Sequence, residues 1–223
     1  MRLYRPLIIA LLPVFAGCQV FKDQPDTASA DLIRQQGELR LQAGQLLFRP
    51  CLEQRTFLIA NDGTTGIARE AAGLFADGAD VLFADVRGRM TASKQANVDG
   101  QLALTQVYRV QAEGQGCDDP NFKRTTLQAG GQEPFWSVSV SGKGLVLNRP
   151  GQAPLALPYL EEQLPDSRFN LTSEANGQRL ELWVAPQRCV NDMSGAVQHL
   201  SAELRLNGEV MRGCAYFGGA RND

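Results

Sequence analysis

Gly131-Gln132-Glu133-Pro134-Phe135-Trp136-Ser137-Val138-Ser139-Val140 holds the key to the fold. From Trp136 onward it alternates Trp136, Val138 and Val140 with Ser137, Ser139 and Ser141. A period of two puts one face of a β-strand in a core and the other toward water. The stretch opens a domain taken as residues 131–217. Downstream, Gly142-Lys143-Gly144 turns the chain into Leu145-Val146-Leu147. The Pro-rich segment 150–165 reads as a loop with one edge strand over residues 155–159, because proline is confined to sheet edges. Asn176-Gly177 and Asn207-Gly208 each separate two strand-like runs by two residues that accept positive φ, which predicts two tight hairpins. The domain is therefore expected to be a small antiparallel β-barrel of about six to eight strands.

Upstream, residues 122–131 read as a linker. Before it, short runs at 38–42, 46–48 and 54–60 read as strands. Ile67, Ala71, Leu74 and Phe75 share one helical face, and 81–90 and 102–110 are two longer strands. Three strands, a helix and two strands is the order of an OB-like five-stranded barrel, placed at residues 37–125. The predicted class is mainly β: an OB-like barrel with one short helix, followed by the small antiparallel barrel.

The N-terminus carries an address. Arg2 and Arg5 precede an apolar run from Leu7 to Phe15, which is too short for a mature membrane span. The run ends in Phe15-Ala16-Gly17-Cys18, which resembles a bacterial lipobox cut before an acylated cysteine. This reading makes residues 1–17 a lipoprotein signal peptide and Cys18 the lipidation site. Residues 18–36 become a polar tether, within which Leu32-Ile33 could start a short helix. Each buried CH₂ of the acyl (palmitate) chains contributes about 0.8 kcal/mol, so a triacylated Cys18 anchors the chain lastingly. Gln19 in place of Asp favours, by resemblance to lipoprotein sorting rules, a periplasm-facing position on the outer membrane.

Four cysteines remain: Cys51, Cys117, Cys189 and Cys214. In an exported chain an even number reads as disulfides, with three possible connectivities. Pairing within each domain, Cys51–Cys117 and Cys189–Cys214, is the simplest. A formal charge of −2 gives no electrostatic footprint for nucleic acid. No cofactor or metal is expected: there is no CxxC, and His199 is the single histidine.

Two resemblances sharpen this reading. The strand end Leu46-Leu47-Phe48-Arg49-Pro50-Cys51, the central helix, the Val86-Arg87-Gly88-Arg89 strand and Cys117 resemble the C-terminal OB-type domain of the envelope-stress lipoprotein NlpE. The copper-associated CxxC of NlpE is absent, so copper binding does not carry over. Gly-x-Glu-Pro-Phe-Trp at 131–136, Cys-x-x-x-Met-Ser at 189–194 and Arg212-Gly213-Cys214 together resemble a family of uncharacterised bacterial envelope lipoproteins. That resemblance implies fold and location more than activity.

Ser194, His199 and Asp192 could suggest a hydrolase, but Ser194 lies outside a Gly-x-Ser-x-Gly elbow. Glu161-Glu162 is taken as a solvated loop, and Cys117-Asp118-Asp119-Pro120-Asn121 lacks the ligand spacing of a calcium loop. Glu133, Phe135 and Trp136 are the candidate binding residues. Either they form a ligand- or partner-binding rim, or Trp136 plugs the bottom of the barrel and Glu133 caps a backbone turn, with Phe135 at the rim. The expected function is non-enzymatic: an outer-membrane lipoprotein acting by protein–protein contact in envelope sensing or scaffolding with an unknown envelope protein. The alternatives are a periplasmic inhibitor of a hydrolase such as lysozyme, using a protruding loop at 189–198, and a carrier of a small apolar ligand in a cavity lined by Trp136, Val138 and Leu182.

Overall fold

The computed structural model describes residues 32–60 and 63–221. The expected signal peptide, Cys18 and most of the expected tether lie outside these residues.

The first layer is a closed barrel. It contains β1 (Ile33–Gln42), β2 (Gln45–Pro50), β3 (Phe57–Ile59), helix α1 (Ile67–Ala76), β4 (Leu82–Thr91) and β5 (Gly100–Gln111). β1 pairs antiparallel with β2 and β4, and β2 with β3. The first residues of β5 pair parallel with β3 while its whole length pairs antiparallel with β4, closing the circle. This is the OB order, with α1 between β3 and β4 as expected. Opposite the Asp85–Val86 and Arg87–Gly88 steps of β4, β5 carries the extra residues Tyr108 and Thr105, bulges that bend β5 as barrel closure requires. Ile67, Ala71 and Leu74 turn the apolar stripe of α1 into a core with Leu39, Phe48, Val86 and Leu102.

β1 begins at Ile33. Residues 33–36, expected to end the tether, therefore form strand, and Leu32-Ile33 starts no helix. The run Arg34-Gln35-Gln36 looks like tether because it is polar, but Arg34 is polar for a structural reason described below.

The second layer is one antiparallel sheet in the order β10-β11-β12-β15-β16-β6-β7-β8-β9. Its strands are β6 (Thr125–Gln132), β7 (Phe135–Ser141), β8 (Gly144–Asn148), β9 (Leu155–Leu157), β10 (Leu160–Gln163), β11 (Phe169–Ala175), β12 (Gln178–Ala185), β15 (Leu200–Leu206) and β16 (Glu209–Phe217). Two two-residue strands, β13 (Cys189–Val190) and β14 (Val197–Gln198), complete the chain. The two edge strands β9 and β10 are consecutive in sequence. Only Pro158 and Tyr159 separate them, so Leu157 and Leu160 lie at most about 11 Å apart. The sheet is thus curled into an open half-barrel with a seam between its edges. Nineteen of its buried hydrophobic residues form one core, in which Trp136, Val138 and Leu182 are each at most 1% exposed. The cavity that a carrier of apolar ligands would need at these three residues is filled by their own side chains.

Both Asn-Gly turns have left-handed φ at both residues, the geometry that matches strand twist. The expected linker at 122–131 is instead mostly β6, whose Leu127 and Ala129 enter the core. Gly131 explains why it does not look like a strand. A Cβ there would lie 2.2 Å from the Arg212 carbonyl oxygen and 2.5 Å from Trp136 Nε1. The lack of a side chain lets the indole lie over the β6 backbone beside β16. Residues 160–163, expected as loop, form edge strand β10 with all four residues exposed.

Both disulfides pair as expected, Cys51–Cys117 and Cys189–Cys214. Cys189 and Cys214 lie 25 positions apart, and closing such a loop stabilises by about 3.5 kcal/mol in the chain-entropy picture. Replacing both cysteines by alanine should lower the unfolding free energy by about that amount, read from the urea midpoint at fixed slope. A midpoint matching the wild type would mean the hairpin holds its place without the bond.

Candidate functional site

The hairpin β13–β14 leaves the second layer and extends the first. Val197 and Gln198 pair with Val110 and Arg109 of β5, beyond the part of β5 that β3 occupies. The loop 189–198 is therefore anchored and does not project freely, contrary to what an inhibitory loop would need. Arg188, just before it, makes a bidentate pair with Glu70 of α1, with Nε donating over 2.6 Å. That hydrogen bond holds the Glu70 carboxyl below its ordinary value. Inside the loop, Asn191 Oδ1 accepts from the Met193 and Ser194 amides and from Ser194 Oγ. The Asn191 backbone bonds Gly195 and Ala196. The Cys-x-x-x-Met-Ser motif is thus a self-bonded turn built on Asn191.

This turn brings together the three motif stretches. Gly131, Gln132 and Glu133, residues 189–193, and Arg212-Gly213-Cys214 line one hollow of about 360 Å³. An adjoining hollow of about 170 Å³ shares Gly131, Gln132 and Asn191 with it and adds Phe135. The candidate residues divide sharply here. Trp136 is 1% exposed and belongs to the core, whereas Phe135, next in the strand, is 46% exposed. The alternation of β7 makes the difference, sending neighbours to opposite faces. Glu133 is exposed in the two-residue β6–β7 loop beside the cis Pro134, and no side-chain cap by it is found. Met193 at 78% and Val190 at 38% exposure complete an apolar rim. Sequence reasoning missed both, although Met193 lies inside a motif it singled out.

The hydrolase arrangement does not assemble. Ser194 Oγ donates to Asn191, while His199 Nδ1 lies 2.9 Å from the Tyr108 carbonyl oxygen. A carbonyl only accepts, so Nδ1 carries the proton. Nε2 is then a buried acceptor with no partner. The imidazole packs edge-on to the Tyr108 and Phe217 rings, each 5.0 Å away. Burial lowers its pKa to about 4, with the Tyr108 hydrogen bond opposing and the Arg34 charge adding to the shift.

That shift predicts a pH dependence. An unfolded chain takes up the proton near 6.5, and the folded chain does so only near 4. The stability contributed above pH 6.5 is lost as pH falls through that window, by about 3 kcal/mol in all. Urea midpoints measured between pH 7 and 4 should fall more steeply for the wild type than for His199→Phe. Equal slopes would contradict the assignment.

The junction between the layers carries the charges the sequence did not flag. β4 is buried on both faces from Leu82 to Val86, and its outward-facing Asp85 is 0% exposed. Arg34 Nε and Nη2 donate to Asp85 Oδ1 and Oδ2 at 2.9 and 2.8 Å. The same guanidinium reaches β16 and its end, donating to the carbonyls of Phe217 and Gly218 at 2.6 and 3.2 Å. Burial raises the Asp85 carboxyl pKa and the Arg34 pair pulls it back, with burial winning.

Glu161 pairs with Arg221 at 3.1 Å. Among the described residues no group of three His, Cys, Asp or Glu side chains could hold a metal ion. The barrel is of an OB-like kind, a fold generally associated with binding more than with catalysis. No family model matches this chain, and no curated protein or solved structure does so either.

Proposed function

We propose that this chain is a lipid-anchored protein of the bacterial envelope that works by protein–protein contact. The observation that carries the reading is the convergence of three separate motif stretches on one rim. That rim pairs exposed Phe135, Val190 and Met193 with the acids Glu133 and Asp192. Exposed aromatic and methionine side chains beside charge are the usual anchors of an interface. The partner surface that fits presents apolar side chains flanked by Lys or Arg. The lipobox-like end at Cys18 and the paired cysteines support an exported, anchored chain. The scaffold beneath the rim is tied by the Cys189–Cys214 disulfide and the Arg188–Glu70 pair.

Photo-cross-linking in intact envelopes tests this. A cross-linker placed at position 135 or 193 should capture one common protein, and one placed at the distant exposed Leu160 should not. The same adducts from all three positions would leave the rim without a special role. Cys18→Ala should move the chain from the membrane to the soluble fraction, and unchanged membrane association would remove the anchor.

A further inference from the structure

A cleft of about 1080 Å³ lies between the loop after β5 and the outer face of β6 and β7, and shares Gln128, Gln198 and Tyr216 with the smaller hollow that Phe135 lines. Arg109 of β5 lines it and is 3% exposed. Its guanidinium is held between two rings, 4.0 Å from the centroid of Tyr216 and 4.7 Å from that of Phe83. Two of its nitrogens, Nε and Nη2, are buried with no hydrogen-bond partner.

That edge is informative. Nε and Nη2 are the pair of donors with which Arg34 grips the carboxylate of Asp85. Two parallel N–H groups match the two oxygens of a planar carboxylate. Asp85 faces Arg109 directly across the β4–β5 pairing, but both its oxygens are engaged by Arg34. Two guanidinium groups thus share one carboxylate at the junction, and buried donors left unmet are unfavourable. The rest of the cleft is polar. Gln128, Ser139 and Gln198 line it, Arg124 and Lys143 stand at its exposed side, and Glu113 and Asp119 oppose them. Counting Arg109, the three cations exceed the two anions by one, in a chain whose formal charge is −2.

We infer that Arg109 is the anchor of a binding site for a small carboxylate-bearing polar molecule. The carboxylate meets Nε and Nη2 between the two rings, and the amide and hydroxyl side chains take the ligand's remaining polar groups. The site adjoins the contact rim through Gln128, Gln198 and Tyr216, but its anchor Arg109 lies outside the rim and the inference does not rest on the protein–protein reading.

The test is NMR on the full chain with labelled arginine, following the Nε–H signal of Arg109, with N-acetylalanine and its amide as probes. The acid should shift the signal saturably with half-saturation at about 1 mM, and the amide should bind at least about tenfold more weakly because it leaves the fork half-met. Arg109→Met should abolish binding. If that variant does not fold, the wild-type titration stands by itself. No saturable shift up to about 50 mM, well beyond that expectation, would make Arg109 a structural cation clamped by its rings. Equal shifts from acid and amide, or tighter binding of inorganic phosphate, would overturn the carboxylate assignment.

Discussion

Asp85→Ala is expected to destabilise the folded chain by about 3–5 kcal/mol, enough to remove most of the stability of an ordinary domain. The carboxylate is fully buried and accepts both donors of the Arg34 fork. Removing it leaves the buried Arg109 and the mostly buried Arg34 without the carboxylate they share. Arg34 also bridges to the Phe217 and Gly218 carbonyls, so the loss falls on the contact between the layers and not on either core. Breaking one half of a buried pair costs more than removing both, because the surviving charge stays desolvated. Arg34→Met/Asp85→Ala should therefore regain at least half of the loss, measured as urea midpoints at fixed slope. A single variant that loses less than about 1 kcal/mol, the value of an exposed pair, would mean that water reaches the junction.

The second large effect separates two neighbours. Trp136→Ala should cost about 3–5 kcal/mol, the range for emptying a packed aromatic site, because the indole lies within the nineteen-residue core. Phe135→Ser, one residue away, should change stability by less than about 0.5 kcal/mol, because that ring stands at the rim. Thermal or urea unfolding of both variants decides the matter. Similar losses in the two would mean that Phe135 is structural and that the rim is not available for contact. A loss of binding in Trp136→Ala alone would say nothing about the surface, since the core beneath it is gone.

Much of this architecture was legible because strands with one buried face alternate and a helix with one buried face repeats every three to four residues. The OB order followed from three short strands, the stripe Ile67, Ala71, Leu74, and two long strands. The two Asn-Gly turns fixed two hairpins of the second sheet. What could not be read had physical causes. β6 looked like a linker because Gly130 and Gly131 replace the side chains that would have continued its pattern, and close packing against β16 and Trp136 demands that replacement. β10 has no buried face, so it has no alternation to read. β13 and β14 are two residues each, too short for any period, and so the docking of the 189–198 loop on β5 was invisible.

The charged junction leaves a trace in the sequence. Asp85 interrupts the run Val81-Leu82-Phe83-Ala84, and Arg109 interrupts Val107-Tyr108-Val110. A charge inside an otherwise apolar strand marks a face covered by something other than water. The candidate site was half legible. The motif at 131–136 did lead to the rim, yet its tryptophan serves the core and its phenylalanine the surface. Val190 and Met193 joined it only through the turn that Asn191 holds.

The most direct measurement compares three forms of the anchored chain in its own envelope: wild type, Phe135→Ser/Met193→Ser, and Val210→Ser, whose side chain is exposed outside the rim. Chemical cross-linking should yield a defined partner adduct in the wild type and in Val210→Ser, reduced at least about tenfold in the double variant, as loss of two interface anchors implies. All three forms should unfold at the same urea concentration. Equal adduct from a fully folded double variant would contradict the assignment of function to this rim.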